Sequence, residues 1–305
     1  MENNIAIVVH GGAGPDSDYI RQNIEGYKKG LEEAINAGYA ILENGGTSID
    51  AVEAAVRSFE NNPHFNAGKG SSLNEMAEVE MCSSIMEGSK LKSGAVAIVK
   101  GVKNPVSLAK AVMQKTKHIY LGQTGAETFA KEIHAELEPA SYFMSEHNTE
   151  EFKKIKEAEQ PKNEKPGRPM HGTVGAVAID NIGNIAAATS TGGTEMNKQG
   201  RIGDSSMIGA GTYANNKTCG VSATGDGELN IQFVTSFHLS ALMEYKGLSL
   251  KEACYYLIHE KAKDVDGDMG VIAVDKEGNI AAEFSSERMH RGWKSKKEAL
   301  QVMIY

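Results

Sequence analysis

The chain has little cysteine and no long apolar run. Its three cysteines, Cys82, Cys219 and Cys254, are too few and too scattered among 305 residues for a disulfide framework or a structural zinc site. No apolar run approaches the roughly 20 residues that a helix needs to cross a bilayer. The first residues also lack the basic region of a secretory signal. These features favour a globular protein of the cytoplasm.

An excess of positive charge is also absent. Lysine and arginine number 32 against 40 aspartates and glutamates, which leaves a formal net charge of −8 at pH 7. This balance argues against nucleic acid or an anionic membrane as a partner, because both attract cationic surfaces. Glycine, by contrast, is abundant at 33 residues, and its clusters mark the segments of greatest interest.

The first half of the chain alternates an apolar run with helical patterns. Residues 5–10 are continuously apolar, which predicts a buried strand that stops at the glycine-rich residues 11–14. Apolar residues then recur at steps of three and four, and this amphipathic helix is expected to end at Gly45-Gly46. A further helix is predicted to begin at Pro105 with the Asn104 side chain as its cap.

The second half contains one hairpin pattern twice. Residues 175–187 read GAVAIDNIGNIAA and residues 270–282 read GVIAVDKEGNIAA. Each predicts two apolar strands joined by a tight Asp-x-x-Gly-Asn loop. Small residues throughout these strands indicate burial on both faces. We therefore expect an α+β fold with sheets inside and helices outside.

A charged segment separates the two halves. Residues from about 146 to 172 are polar and nearly devoid of apolar side chains after Phe152. Such a composition cannot bury enough surface to offset its ordering entropy, so it predicts a tether with room for one helical turn. An apolar strand pattern resumes abruptly at Thr173. Gly-Thr occurs four times in the chain, but only Gly172-Thr173 lies at such a junction.

A backbone break before Thr173 would create an unusual nucleophile. It would give Thr173 a free α-amine, whose ordinary pKa of about 7.7–8.0 lies close to working pH. This amine can act as the base for the hydroxyl of its own residue, so no histidine is needed. His171 could assist the cleavage, although a solvated tether end is the simpler interpretation. Gly172 would tolerate the strained backbone that an N-to-O acyl shift requires.

Two polar, glycine-rich clusters follow downstream. Residues 189–193 read TSTGG and residues 224–228 read TGDGE, and such loops offer hydroxyl and backbone N–H donors for an oxyanion. Between them, Arg201 and Asp204 lie three residues apart. Together they could bind the carboxylate and the ammonium of an amino acid, but a surface ion pair among glycine turns explains the same pattern. The residues alone leave both interpretations open.

Taken together, these segments resemble the plant-type isoaspartyl peptidase/L-asparaginases, a family of N-terminal nucleophile (Ntn) hydrolases. The similarity covers nearly the whole chain in order, and residues 78–99, 104–116 and 121–130 are especially similar to the animal asparaginase-like members. The motifs that carry it are HGGAG (10–14), FNAGKGSSLN (65–74), GTVGAVAID (172–180), TSTGG (189–193), GRIGDS (200–205), GAGTYANN (209–216) and TGDGE (224–228).

The resemblance implies a fold and an assembly. It implies a single domain of four layers, an αββα sandwich, which cleaves itself between Gly172 and Thr173. The products would be an α subunit of residues 1–172 and a β subunit of residues 173–305, assembled as a dimer of αβ heterodimers. The reaction implied is hydrolysis of β-aspartyl (isoaspartyl) dipeptides and of L-asparagine, a small-molecule substrate class.

The resemblance also implies catalytic roles by position. Thr173 would be the nucleophile, and Thr191 would contact Thr173 and its amine to tune proton transfer. The Thr224 hydroxyl and the Gly225 N–H would form the oxyanion hole, where they also contact the substrate.

Substrate-binding and structural roles follow in the same way. Arg201 and Asp204 would bind the carboxylate and ammonium of the substrate, and Gly227 would line its pocket. Asn66 would brace the nucleophile. The loop from Phe59 to Lys69 matches one whose carbonyl groups bind a structural sodium ion in family members. No metal or organic cofactor is expected in the chemistry itself.

One position departs from the family pattern. Family members commonly have Met-Asp-Ala-Ser-Ile-Met where this chain has Met81, Cys82, Ser83, Ser84 and Ile85. A thiol in place of an acid leaves open slower maturation or altered activity. Two alternatives therefore accompany the hydrolase interpretation. These are a glycosylasparaginase-like hydrolase, which the missing signal and disulfides disfavour, and an uncleaved, non-catalytic family member.

Overall fold

A computed structural model describes residues 4–158 and 172–305. The strands are β1 (Ala6–Gly14), β2 (Met81–Glu87), β3 (Ser93–Val99), β4 (Tyr120–Gly122), β5 (Val174–Ile179), β6 (Ile185–Thr191), β7 (Thr212–Ala214), β8 (Cys219–Gly225), β9 (Met269–Asp275), β10 (Ile280–Phe284), β11 (Arg288–Ser295) and β12 (Gln301–Met303). The helices are α1 (Asp18–Gln22), α2 (Ile24–Glu43), α3 (Ser48–Glu60), α4 (Pro105–Lys115), α5 (Gln123–Glu132), α6 (Ala140–Phe143), α7 (Glu146–Ala158), α8 (Gly227–Phe233), α9 (Thr235–Lys246) and α10 (Leu250–Tyr255).

Within the described residues, the strands form two sheets. The larger has the order β12-β11-β1-β5-β6-β2-β3-β4, and the smaller has the order β10-β9-β8-β7. The neighbouring strands are antiparallel except for β3 and β4. Strand β1 is longer than the sequence predicts, because residues 13 and 14 resume pairing with β11 after an irregularity between His10 and Ala13. The glycines there prolong the strand instead of ending it.

The two predicted hairpins are confirmed, but they lie in different sheets. Strands β5 and β6 pair in the larger sheet, and β9 and β10 pair in the smaller one. In the two loops, Asp180 and Asp275 each accept hydrogen bonds from backbone N–H groups two and four residues later. The repeated Asp-x-x-Gly-Asn sequence is therefore a repeated turn.

Alternating residues of β1 contribute to two separate cores. Ile7 and Val9 pack with apolar residues of α2 and α3, whereas Ala6 and Val8 pack with Ile272 of the smaller sheet. A third core joins the other side of β8 and β9 to α9 and α10. The fold is thus mixed α/β, with sheets packed against each other and helices on their outer sides. This agrees with the α+β expectation.

The segment predicted to be a tether differs from the prediction in its first part. Residues Glu146–Ala158 form helix α7 and not a single turn. Tertiary contacts explain the difference: Asn148 Nδ2 donates to the carbonyl groups of Gly70 and Ser71, and the His147 ring stacks on Tyr19. The predicted tether residues 159–171, including His171, lie outside the described residues.

The predicted side-chain cap of α4 is wrong. Helix α4 does begin at Pro105 after Asn104, but the Asn104 side chain makes no capping hydrogen bond. Its Nδ2 instead donates to Glu60 Oε2 at 3.1 Å and to Asn61 Oδ1 at 3.2 Å. Glu60 takes the capping role instead, because its Oε1 accepts from the Val106 N–H in the first turn of α4 at 3.0 Å.

Candidate active site

Gly172 and Thr173 lie where the polypeptide enters the larger sheet. Strand β5 begins directly after Thr173 and runs between β1 and β6. Thr173 is buried. The Gly172 carbonyl oxygen accepts two side-chain hydrogen bonds, from Asn66 Nδ2 at 2.8 Å and from Thr191 Oγ1 at 3.1 Å. Two donors on one carbonyl polarise it toward nucleophilic attack and would stabilise the resulting oxyanion.

The orientation of the Asn66 amide is defined by its partners. Its Oδ1 accepts from the Ser72 backbone N–H at 2.8 Å, so its Nδ2 is the atom that faces Gly172. The same Nδ2 also donates to the carbonyl of Gly193 at 2.7 Å. The motifs FNAG and TSTGG, which are far apart in the sequence, therefore meet at the Gly172 carbonyl.

His10 holds the other side of the nucleophilic residue. Its Nδ1 donates to the Thr173 carbonyl at 3.0 Å, which leaves Nε2 to accept from Ser222 Oγ at 2.8 Å. Burial lowers the pKa of His10 to about 3, so the ring is neutral. A side chain at Gly175 would place its Cβ 2.0 Å from Ser222 Oγ. His10 is thus a buried, packed histidine, and its contact with Thr173 had no sequence signal.

The glycine-rich end of β1 connects Thr173 with Thr224. At Gly12, whose φ is +112°, a Cβ would lie 3.1 Å from Gly172 Cα and 3.4 Å from Thr173 N. The next residue, Ala13, donates its N–H to Thr224 Oγ1 at 3.2 Å. This bond occupies a lone pair of the Thr224 hydroxyl and leaves its proton for another acceptor.

Gly225 is held by a close approach of the neighbouring strand. Its φ is +102°, and a Cβ there would lie 2.2 Å from the Asp268 carbonyl oxygen. Only glycine fits this position without displacement. The predicted oxyanion-hole residues Thr224 and Gly225 therefore lie at the end of β8. Ala13 bonds Thr224, and the preceding Gly12 lies against Gly172 and Thr173.

Arg201 and Asp204 converge on Gly227. A Cβ at Gly227 would lie 2.8 Å from Arg201 Nη2 and 3.0 Å from Asp204 Oδ1, so the missing side chain leaves room for both groups. Within the described residues, Arg201 pairs with Glu228 and not with Asp204: Nε and Nη2 donate to the two carboxylate oxygens at 2.9 and 2.6 Å. Sequence reasoning did not assign Glu228 a role.

The charges of this cluster are shifted by burial and by one another. Burial raises the pKa of Asp204 to about 7, against the opposing effects of Arg201 and of the hydrogen bond from Asn230. Burial disfavours the Arg201 cation, but its bonds to Glu228 keep the pKa of Arg201 above its ordinary value. Asp204 therefore changes its charge near neutral pH, whereas Arg201 stays charged.

The strand next to Thr191 carries the unusual thiol. Cys82 on β2 is paired in register with Thr191 on β6, and it is buried. Burial raises the pKa of the Cys82 thiol, so the side chain is neutral where an acid would carry charge. The position where the resemblance leads us to expect an acid is therefore uncharged, and it is paired with Thr191, which donates to the Gly172 carbonyl.

Two further buried carboxyl groups lie near the site, and sequence reasoning missed both. Glu60 accepts from Ser190 Oγ and from the Val106 N–H, and Glu195 accepts from Ser72 Oγ. Burial raises the pKa of each to about 7. Neither has a local sequence signature, because glutamate is ordinarily a surface residue.

Residues 4–158 and 172–305 lack two kinds of feature. They contain no group of three or more His, Cys, Asp or Glu side chains arranged to hold a metal ion. No helix in the same part of the chain has the length and apolar content to cross a membrane.

Comparison with known proteins gives matches along nearly the whole chain. The family described as "Asparaginase" matches residues 3–304. The chain is 40% identical to the probable isoaspartyl peptidase/L-asparaginase 2 of Arabidopsis thaliana, with 98% of each protein covered. It is 44% identical to the isoaspartyl peptidase/L-asparaginase of Danio rerio, covering 93% of this chain and 90% of that protein. It is also 40% identical to the isoaspartyl peptidase of Escherichia coli, covering 94% and 92%.

Proposed function

Because this chain belongs to the asparaginase family, we propose that it hydrolyses β-aspartyl (isoaspartyl) dipeptides and L-asparagine after cleaving itself before Thr173. The family is one of Ntn hydrolases. Its members at about 40% identity in plants, bacteria and animals are named for these activities. The single observation that carries the assignment to residues is the Gly172 carbonyl, which accepts from both Asn66 and Thr191 directly before a buried threonine.

The first reaction is the cleavage of the chain itself. The Thr173 hydroxyl attacks the Gly172 carbonyl carbon while Asn66 and Thr191 stabilise the charge that develops on the oxygen. The C–N bond then breaks, and the proton from the hydroxyl ends on the released α-amine. Water hydrolyses the resulting ester, which leaves a carboxylate on Gly172 and restores the Thr173 hydroxyl.

The second reaction uses the free amine. Thr173 Oγ attacks the side-chain carbonyl of the substrate, and the α-amine takes the proton and passes it to the departing amine. That amine is ammonia for asparagine and the amino group of the second residue for a dipeptide. Thr224 and Gly225 stabilise the oxyanion, and Arg201 and Asp204 bind the carboxylate and ammonium. Water then hydrolyses the aspartyl ester and releases aspartate.

The proposal extends to the fold and the assembly. The two packed sheets with helices on their outer sides support the four-layer αββα sandwich of Ntn hydrolases. The subunits would be residues 1–172 and 173–305, and two such pairs would associate. A cytoplasmic location is part of the proposal, and the three free, buried cysteines support it because the cytoplasm is reducing.

A structural sodium ion at the loop from Phe59 to Lys69 also remains a proposal. The carbonyl oxygen of Glu60 lies 2.1 Å from the place of a Cβ on Gly68, and that of Phe65 lies 2.2 Å from the place of one on Gly70. Glycines thus let carbonyl oxygens turn into this loop, and oxygen ligands suit a hard cation. The ion would stiffen the loop that carries Asn66.

The test of the proposed function is cleavage without added protease. Freshly prepared protein should yield bands of about 18 and 14 kDa on a denaturing gel, prorated by length from the 32.7 kDa chain. The smaller piece should begin Thr-Val-Gly-Ala, and the Thr173→Ala protein should remain one chain. Cleavage that persists in Thr173→Ala, or a new N-terminus elsewhere, contradicts the assignment. A wild-type protein that stays a single chain would support the alternative of an uncleaved, non-catalytic family member.

A further inference from the structure

Glu195 is a half-buried residue whose carboxyl oxygen Oε2 is buried, and the proposed reactions do not use it. It follows β6, in the short segment after Gly192-Gly193, and its Oε1 accepts from Ser72 Oγ at 2.9 Å. Its Oε2 is buried and has no hydrogen-bond partner among the described residues. Burying a carboxyl group with half of its capacity unused is costly, so its presence calls for an explanation.

Glu195 lines a small cavity that reaches Gly172. Asn66 and Ser72 line the same cavity. The titratable and charged groups that face it from the packed elements are Tyr27 of α2, His64 of the following loop, His147 of α7, and Arg288 and His290 of β11. Glu151 of α7 also acts on Glu195, since its charge contributes to raising the pKa of Glu195. The acid therefore lines the same cavity as Gly172, but its side-chain partner is Ser72.

A continuous series of hydrogen bonds leads from Glu195 to the Gly172 carbonyl. Glu195 holds the Ser72 hydroxyl, the Ser72 N–H donates to Asn66 Oδ1 at 2.8 Å, and Asn66 Nδ2 donates to the Gly172 carbonyl at 2.8 Å. The middle bond decides which end of the Asn66 amide faces Gly172. An amide that turned over would present its oxygen to the carbonyl and repel it.

Backbone bonds keep the same two segments in contact. The Met196 N–H donates to the Leu73 carbonyl at 2.8 Å, and the Glu75 N–H donates to the Asn197 carbonyl at 2.9 Å. These bonds hold the segments together but do not restrain the Ser72 side chain. The bond from Ser72 Oγ to Glu195 restrains the side chain of Ser72, the residue whose backbone N–H bonds Asn66.

We propose that Glu195 is a positioning residue for cleavage of the Gly172–Thr173 bond, acting through Ser72 on the amide of Asn66. The inference rests on the proposed function, because it concerns the first of its two reactions. Glu195 itself touches neither reacting atom. Its effect is to hold the donor that polarises the Gly172 carbonyl in the productive orientation.

The experiment measures the cleavage half-life of freshly synthesised full-length chains on denaturing gels. Ser72→Ala and Glu195→Val should each slow cleavage by about three- to tenfold, the usual worth of one hydrogen bond. The double variant should be no slower than one single variant, because both changes remove the same bond. Glu195→Gln should stay within about twofold of wild type, since its amide oxygen still accepts from Ser72.

Ser240→Ala is the matched control. Ser240 lies on α9, next to the smaller sheet, and its buried hydroxyl is 2.6 Å from Thr218 Oγ1. The change to alanine removes this hydroxyl. Its cleavage half-life should equal that of wild type. Thermal unfolding of each variant in the uncleavable Thr173→Ala background shows whether the chain folds. If Glu195→Val does not fold, Ser72→Ala alone is sufficient for the test.

The outcomes separate the two proposals. Wild-type rates in Ser72→Ala and Glu195→Val, or effects that multiply in the double variant, overturn the role of Glu195 and leave the proposed function intact. Equal slowing in Glu195→Gln and Glu195→Val also overturns it, because the accepting oxygen is then not what matters. Failure of the wild-type chain to cleave at Thr173 overturns both.

Discussion

At the residue scale, Arg201 of the proposed substrate site is already bonded to Glu228. Its guanidinium has five N–H groups, and Glu228 accepts two of them, from Nε and Nη2. A substrate carboxylate must therefore share the guanidinium with Glu228 or displace it. Asp204 stands on the other side of the Gly227 gap and changes its charge near pH 7. In the proposed binding mode, an amino acid would meet an arginine that is already paired with Glu228 and an aspartate that changes its charge near pH 7.

Arg201→Ala should separate substrate binding from self-cleavage. The change removes the fork that would bind the substrate carboxylate, so kcat/KM for a β-aspartyl dipeptide should fall by about a hundredfold. Cleavage at Thr173 should continue, because Arg201 does not contact Gly172. Arg201→Lys is the matched control, since it keeps the charge without the fork, and its loss should be smaller. An unchanged kcat/KM in Arg201→Ala would leave Arg201 as only the surface partner of Glu228.

At the scale of elements, α7 shows how contacts override composition. The helix is highly charged, and its isolated sequence favours a solvated chain. Its N-terminal turn is nevertheless anchored where Asn148 bonds the Gly70 and Ser71 carbonyls and where His147 stacks on Tyr19 at a centroid distance of 3.4 Å. Gly70 and Ser71 directly precede Ser72. The helix thus packs on the same loop that orients Asn66.

Asn148→Ala should loosen α7 without unfolding the protein. Two carbonyl groups lose their donor, so amide hydrogen exchange in α7 should speed up by about tenfold. Lys154→Ala is the control, because it removes only an exposed ion pair with Glu151, and such pairs contribute little. Exchange is best measured in Thr173→Ala, which remains a single chain. Equal protection in the two proteins would mean that the Asn148 bonds do not anchor the helix.

At the scale of the whole molecule, buried acids and buried histidines have opposite effects on how stability depends on pH. Burial raises the pKa values of Glu60, Glu195 and Asp204 to about 7, and it lowers the pKa of His10 to about 3 and that of His290 well below its ordinary value. The histidines destabilise the fold as pH falls. The carboxyl groups destabilise it as pH rises. Stability therefore depends on pH in both directions.

Glu195→Gln should isolate one of these contributions. The pKa of Glu195 is 4.5 in an unperturbed chain and about 7 in the fold, so between these values the folded state keeps a proton that the unfolded state has lost. The contribution of this group to the free energy of unfolding is at its maximum below pH 4.5. It falls by up to about 3 kcal/mol as pH rises to 7. Glutamine does not titrate.

Urea unfolding of Thr173→Ala with and without Glu195→Gln tests this sign. The stability of the glutamine variant relative to its parent should increase from pH 5 to pH 8. A difference that stays constant across this range would show that Glu195 has the same pKa in both states. A decrease would show that its carboxylate is stabilised by the fold.

The sequence by itself determined several of the elements and predicted the point of attack. Continuous apolar runs specified β1 and the core strands, the repeated Asp-x-x-Gly-Asn loops specified both hairpins, and the junction at Gly172-Thr173 marked the predicted nucleophile. These are local properties, since a turn, a strand pattern or a change in composition depends on neighbouring residues. The motifs and their order along the chain also indicated the family.

The family resemblance implies that Asn66 and Thr191 lie near that point, but only the tertiary structure decided which atoms they bond and which other side chains surround it. Asn66 reaches Gly172 across 106 residues, His10 reaches Thr173 across 163, and Ser72 meets Glu195 across 123. No local pattern distinguishes a glutamate that will be buried from one on the surface, and Glu228 takes the Arg201 fork only because α8 begins beside it. The physical reason is that hydrogen bonds and burial depend on packing between distant segments, which the pairing of the strands establishes.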